Sequence, residues 1–205
     1  MTSVLITGFS PFPGAPANPT AALATRLARA GRRRGIDCVA HVFATTYAAV
    51  DRHLPRLIAE HRPDAILMFG LATRRRHVSI ELFARNRMSV WFPDAGGVVA
   101  PRAAIAAGMS ATRGRAEFSR LLAAARATRV KTLLSRDAGN YLCNYVYWRA
   151  LEATGSPGGP QRAVFVHVPG VSPRRRRRGS AKRPKFTFAQ FLRVGEAILA
   201  ALSRR

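Results

Sequence analysis

At 205 residues the chain is long enough for one compact domain, residues 1–205, with a substantial core, and too short for two domains of typical size. Hydrophobic residues make up 48%, yet no apolar run approaches the roughly 20 residues that span a bilayer, and no basic region precedes the short apolar stretch at the N-terminus. Neither membrane insertion nor export is therefore expected, and the cytoplasm is the default location.

The net charge of +24 arises from 34 Lys+Arg against 10 Asp+Glu, nearly all of it arginine. Clusters such as Arg32 to Arg34, Arg74 to Arg76 and Arg174 to Arg178 are candidate phosphate contacts, set against the plainer reading of a solvated basic surface. Cys38 and Cys143 are far apart and have neither disulfide-framework nor zinc spacing, so no metal site is expected.

Ser3 to Phe9 (S-V-L-I-T-G-F) reads as a short buried strand, followed by a loop rich in Pro and Gly. Asn18 has the character of a helix N-cap with Pro19 at the first helical position, predicting a helix through about Ala30. Ile36 to Phe43 reads as a strand, Tyr47 to His61 as a helix, and Asp64 to Gly70 as the wholly apolar kind of strand found inside parallel sheets.

A strand is expected at Val78 to Phe83, a helix at Ala116 to Ala125 and a strand at Val130 to Leu134. A helix from about Gly139 to Glu152, a strand at Ala163 to Val168 and a closing amphipathic helix from Phe188 to Leu202 complete the pattern. Residues 172–185 read as a basic loop. Alternation of strands and helices predicts a three-layer α/β/α sandwich with a largely parallel central sheet.

Ligands gather beyond the carboxyl ends of such strands, where Glu81, Cys143 and His167 are all expected. A cysteine in the first turn of a helix gains from the helix dipole and from free backbone N–H groups, and a neighbouring imidazole can take its proton. That imidazole needs an acceptor on its other nitrogen, which a buried carboxylate supplies. Taken singly these signals are weak: a lone cysteine is more often packing, a histidine at a strand end more often just hydrogen-bonded, and a strand glutamate can simply point outward.

The segments T-G-F-S-P-F-P-G-A-P-A-N-P-T, I-E-L-F-A-R-N, S-R-D-A-G-N-Y-L-C-N and V-F-V-H-V-P together resemble the successive signatures of type I pyroglutamyl peptidases. The similarity runs from about Ser3 to Pro169, with D-A-G-x-Y-x-C-N its most specific match. It implies a cysteine exopeptidase with Cys143 as nucleophile, His167 as general base and acid, and Glu81 orienting the histidine. It also implies peptides with N-terminal pyroglutamate as substrates and no cofactor, and is compatible with a dimer or tetramer.

Pyroglutamate is a neutral lactam, so its site should be an apolar slot with a few backbone hydrogen bonds. Phe9 and Phe12 match the family's paired phenylalanines, and Phe92 and Leu142 would line the pocket by family position, each also readable as core; Leu71 stands where the family has a glutamine, in a substrate contact that its backbone could make.

The chain departs from the family at two places. The glycine-rich turn commonly written G-Q-A-G-G-R is G-L-A-T-R-R here, with Thr73 and Arg74 in place of glycines that a tight turn could need. Trp91 stands where the family usually has an arginine near the reacting carbonyl, with Arg85 and Arg87 as candidates to compensate. A second reading is accordingly kept, a peptidase-like scaffold with impaired catalysis that binds nucleic acid or another polyanion through its basic surface. No nucleic-acid motif accompanies the charge.

Overall fold

The computed structural model describes residues 2–12, 15–171 and 186–204. The basic loop expected at 172–185, with Arg174 to Arg178, lies outside them. In chain order the elements are β1 (Ser3–Phe9), α1 (Thr20–Arg33), β2 (Asp37–Phe43), α2 (Tyr47–His61), β3 (Ala65–Leu71), β4 (Val78–Glu81) and β5 (Phe83–Arg85). They continue with β6 (Ala111–Arg113), α3 (Phe118–Ala127), β7 (Thr132–Ser135), α4 (Leu142–Ala153), β8 (Arg162–Val168) and α5 (Phe188–Ser203).

Six strands form one sheet in the order β2-β1-β3-β8-β4-β7. β2, β1, β3 and β8 run parallel, whereas β4 pairs antiparallel with β8 and parallel with β7, so the last two strands run against the other four. Each central strand is buried on both faces, which explains the unbroken apolar run of A-I-L-M-F-G in β3.

Alternate residues of the strands supply two separate cores. Val4, Ile6, Leu67, Phe69, Val164 and Val166 pack with residues of α1, α3 and α5 on one face; Leu5, Ile66, Met68, Ala163 and Phe165 pack with α2 and α4 on the other. Full burial of each such Leu, Ile or Phe side chain contributes roughly 1.5–3 kcal/mol. The result is helix, sheet and helix in three layers. No helix among the described residues is long and apolar enough to cross a membrane.

The differences from the sequence reading are local. The helix expected to follow an Asn18 cap begins at Thr20, with Pro19 in the cap position; Asn18 Oδ1 accepts hydrogen bonds from the backbone N–H (3.1 Å) and the hydroxyl (2.8 Å) of Thr20. α4 starts at Leu142 rather than near Gly139, because Gly139 adopts a positive φ of 90° that a helix cannot contain.

The strand expected at Val78 to Phe83 ends at Glu81. Leu82 N–H donates to Ser135 O (2.7 Å), and the chain then leaves the sheet to pair Phe83–Arg85 with β6 in a two-stranded ribbon. Three-residue strands are too short to leave a periodic signal, so this ribbon was not anticipated.

One glycine fixes the loop ahead of α1. A Cβ on Gly8 would fall on the carbonyl oxygen of Thr20 and lie 2.6 Å from its carbon, backbone atoms that cannot step aside cheaply. Gly8→Ala is expected to destabilise the protein by roughly 1–3 kcal/mol, read as a lower urea midpoint with an unchanged denaturant slope.

Candidate active site

Four chain segments meet on the α4 side of the sheet. His167 is the sixth residue of β8, and the register pairs it with Gly70 of β3. Paired residues of neighbouring strands share a face, so the imidazole and the vacant side-chain position of Gly70 look the same way. A Cβ built on Gly70 would lie 2.7 Å from Cys143 Sγ and 2.6 Å from the tip of the Phe165 ring, so the sulfur packs directly over that glycine. Phe165 completes the cluster, its ring centroid 4.9 Å from that of His167.

Glu81 reaches the histidine from a direction the sequence did not reveal. Because β4 is reversed, its C-terminal residue pairs with Phe165, two residues inside the sheet from His167. The carboxylate and the imidazole are therefore diagonal neighbours on one face, within reach of each other across adjacent strands. His167 Nδ1 lies 2.8 Å from Glu81 Oε1, and the Glu81 side chain has no exposed surface. This pairing directs the other imidazole nitrogen, Nε2, away from the carboxylate.

Cys143 is the second residue of α4, with Tyr141 as the N-cap in extended conformation. The backbone N–H groups of the first turn have no partners within the helix, and the one at Cys143 favours a negative sulfur. Burial, with the Glu81 carboxylate second, pushes the thiol the other way, up to about 12, while Arg75 and that backbone N–H oppose the rise. Burial wins in this geometry. A neighbouring base that accepts the proton would offset that rise. Cys38 is a buried packing residue on the other face, its thiol raised by burial to about 11.

The loop that leads into α4 is held by arginines. Arg75 donates to Asp137 O (2.7 Å), Arg85 to Arg136 O (3.0 Å), and Arg87 to Gly139 O (3.2 Å) while pairing with the Asp137 carboxylate at 2.7 Å. Asn144, fully buried beside Cys143, accepts from Arg85 N–H (2.7 Å) and donates to Arg85 O (2.7 Å) and Arg87 O (3.0 Å). Tyr147 donates to Glu81 O (2.9 Å). Sequence reading had not singled out Asn144, Tyr147 or Arg75 as parts of the site. For Asn144 the available signal was an amide inside an otherwise apolar helix, since such a group must find partners when buried.

The residues expected to line a slot occupy different depths. Phe9 and Leu142 are almost wholly buried in the core below the cysteine, with Phe9 against Phe43 at 6.0 Å. Phe12 and Leu71 are half-buried. Phe92 is 66% exposed and Trp91 83%, so the position where the family has its arginine turns to solvent.

Their loop is nevertheless anchored. Ser89 Oγ accepts from the backbone N–H of Trp91 and Phe92, Asp94 accepts from those of Tyr47, Gly96 and Val98, and Tyr141 donates to Pro93 O at 2.8 Å. Thr73 and Arg74, which replace glycines, cause no strain: among the described non-glycine residues, positive φ occurs at Arg62 and Arg129, not in this turn. No group of three or more candidate metal ligands occurs among the described residues.

The profile of the pyroglutamyl peptidase family matches residues 2–203. The chain is 31% identical over 167 residues to a pyrrolidone-carboxylate peptidase of Thermococcus kodakarensis, covering 81% of this chain and 80% of that one. It is 33% identical over 171 residues to the Gloeobacter violaceus protein of the same name, at 81% and 80% coverage. Its fold is similar to that of a mutant pyrrolidone carboxyl peptidase from Pyrococcus furiosus, with a TM-score of 0.87, 25% identity and 98% coverage of both chains.

The contact between Gly70 and the sulfur generates a test. Gly70→Ala inserts a methyl group between Cys143 and Phe165, and is expected to slow alkylation of Cys143 by iodoacetamide by about 10-fold or more through displacement of the thiol. Site-resolved mass spectrometry reads the rate, and an unchanged rate in a folded variant would show that the sulfur does not rest there.

Proposed function

Since this chain belongs to the pyroglutamyl peptidase family, we propose that it hydrolyses the bond after an N-terminal pyroglutamyl residue, with Cys143, His167 and Glu81 as its catalytic residues. The observation that carries this reading is the buried 2.8 Å contact between His167 Nδ1 and Glu81 Oε1, on the face over which Cys143 Sγ packs against Gly70.

His167 takes the thiol proton as Cys143 Sγ attacks the pyroglutamyl carbonyl carbon. A carbon–sulfur bond forms and the carbonyl oxygen takes up negative charge. The free N–H groups at the start of α4 are the donors suited to that oxyanion. The oxyanion collapses, the carbon–nitrogen bond breaks, and the imidazolium delivers its proton to the departing amine, which becomes the new N-terminus of the shortened peptide. Water, deprotonated by the same imidazole, then attacks the thioester, releasing pyroglutamic acid and restoring the thiol. Glu81 holds the imidazole in position and stabilises its charged form while it carries the proton.

For the substrate ring we propose a slot with Phe9 and Leu142 as its core backing, Phe12 and Leu71 as its half-buried walls, and Phe92 as the apolar cover on its anchored loop. Burial of a flat, uncharged lactam between such groups supplies binding without any countercharge. The cytoplasm is the proposed location. A dimer or tetramer is the proposed assembly, to be read by light scattering.

A fluorogenic pyroglutamyl conjugate tests the activity. Wild-type protein should release the reporter and Cys143→Ala should not; folded wild-type protein without turnover would overturn the reading. Glu81→Gln, which preserves shape but removes the charge, is expected to lower kcat/KM by about 10²- to 10⁴-fold, measured with the same conjugate.

A further inference from the structure

Arg75 has no role in the mechanism above, yet of the arginines around the site it is the one whose guanidinium enters the buried pair. Its Nη1 lies 2.6 Å from Glu81 Oε1, the same oxygen that faces His167 Nδ1, and its Nη2 donates to Asp137 O at 2.7 Å. The Arg75 side chain is 23% exposed, against none for Glu81. Glu81 Oε2 has no hydrogen-bond partner among the described residues, so the whole compensation of this carboxylate passes through the oxygen shared by Arg75 and His167. A buried carboxylate without a countercharge would protonate or destabilise the fold.

We propose that Arg75 is a positioning residue of the active site: one guanidinium that keeps buried Glu81 compensated and ties it to the loop delivering Cys143. The inference rests on the functional reading given above and extends it to a fourth side chain. Its physical content is a balance of charge. Before proton transfer the site holds Arg75 positive and Glu81 negative, with imidazole and thiol neutral. After transfer it also holds an imidazolium and a thiolate. Proton transfer leaves the sum unchanged, and Arg75 is what makes that sum zero rather than negative. Without Arg75 the same proton transfer would take place in a site of net negative charge, with the thiolate forming near a carboxylate that the guanidinium no longer offsets.

The neighbours agree in sign, since Glu81 disfavours the thiolate and Arg75 favours it. Other titratable groups around this cluster are His167 from β8, Tyr141 from the α4 cap, Tyr147 of α4, which donates to Glu81 O, and His77, which feels Arg75, Lys131 and Glu81. With Trp91 turned to solvent, Arg75 supplies a fixed charge that the position of the missing family arginine does not.

The experiment compares wild type with Arg75→Met and Arg75→Lys, measuring the pH dependence of Cys143 alkylation by neutral iodoacetamide and kcat/KM on the pyroglutamyl conjugate. Loss of the positive charge raises the thiol's pKa, so less thiolate is present at any given pH. In Arg75→Met the alkylation profile should therefore move to higher pH, with a rate at neutral pH roughly 10- to 100-fold lower and a comparable fall in kcat/KM.

Arg75→Lys keeps the charge but cannot span both contacts, and should retain most of the alkylation profile while losing several-fold in kcat/KM. A purely structural role would lower the melting temperature of Arg75→Met and leave the alkylation profile of its folded fraction in place, which overturns the proposal. If Arg75→Met does not fold, an alkylation profile in Arg75→Lys shifted as far as that of Arg75→Gln would do the same. Absence of hydrolysis by wild type would instead sink the functional reading, because alkylation needs no substrate.

Discussion

A carboxylate with no exposed surface in the middle of a β-sheet is the constraint around which this molecule is arranged. Desolvating such a group costs several kcal/mol unless charge and hydrogen bonds replace the lost water. Glu81 receives both, from the His167 imidazole at 2.8 Å and the Arg75 guanidinium at 2.6 Å. Arg75 comes from the turn between β3 and β4, six residues before Glu81, and His167 from β8, 86 residues after it, so the compensation depends on the register of β8 against both strands. A histidine fixed in this way has one free nitrogen and one orientation. Those are the properties a general base needs before any substrate arrives.

The reversal of β4 is what puts the carboxylate there. In an all-parallel sheet the last residue of the strand would lie at the rim with the other carboxyl ends, open to water. Running the other way, β4 ends opposite Phe165, and its glutamate points at the histidine from within the sheet. The same reversal sends the chain out of the sheet at Leu82 into the small ribbon of β5 and β6, which Asn144 then clips to α4 beside the cysteine. Fold and site are therefore coupled through backbone hydrogen bonds rather than through loops alone.

Much of the arginine near the site has structural employment. Arg75, Arg85 and Arg87 converge on the 136–139 segment and hold its carbonyl oxygens, in a region where Asp137 and Glu81 are the acids within reach. Guanidinium groups suit this work because one planar fork can satisfy two acceptors at once. Around the site, part of the extreme net charge is thus committed to specific contacts in which Arg75, Arg85 and Arg87 each have a named oxygen.

The layers and the candidate residues were legible in residue order alone. Strand and helix periodicities place eleven of the elements to within a few residues, since buried parallel strands and amphipathic helices must write their burial into residue order. The cysteine, histidine and glutamate were visible as reactive groups in otherwise apolar surroundings. The direction of β4, the ribbon of β5 and β6, and the meeting of Arg75, Glu81, His167 and Gly70 emerge only in the folded chain. Strand direction and register are set by pairing between segments as far apart as Ala65 and Arg162, and a contact of that kind leaves no local period in the chain that makes it.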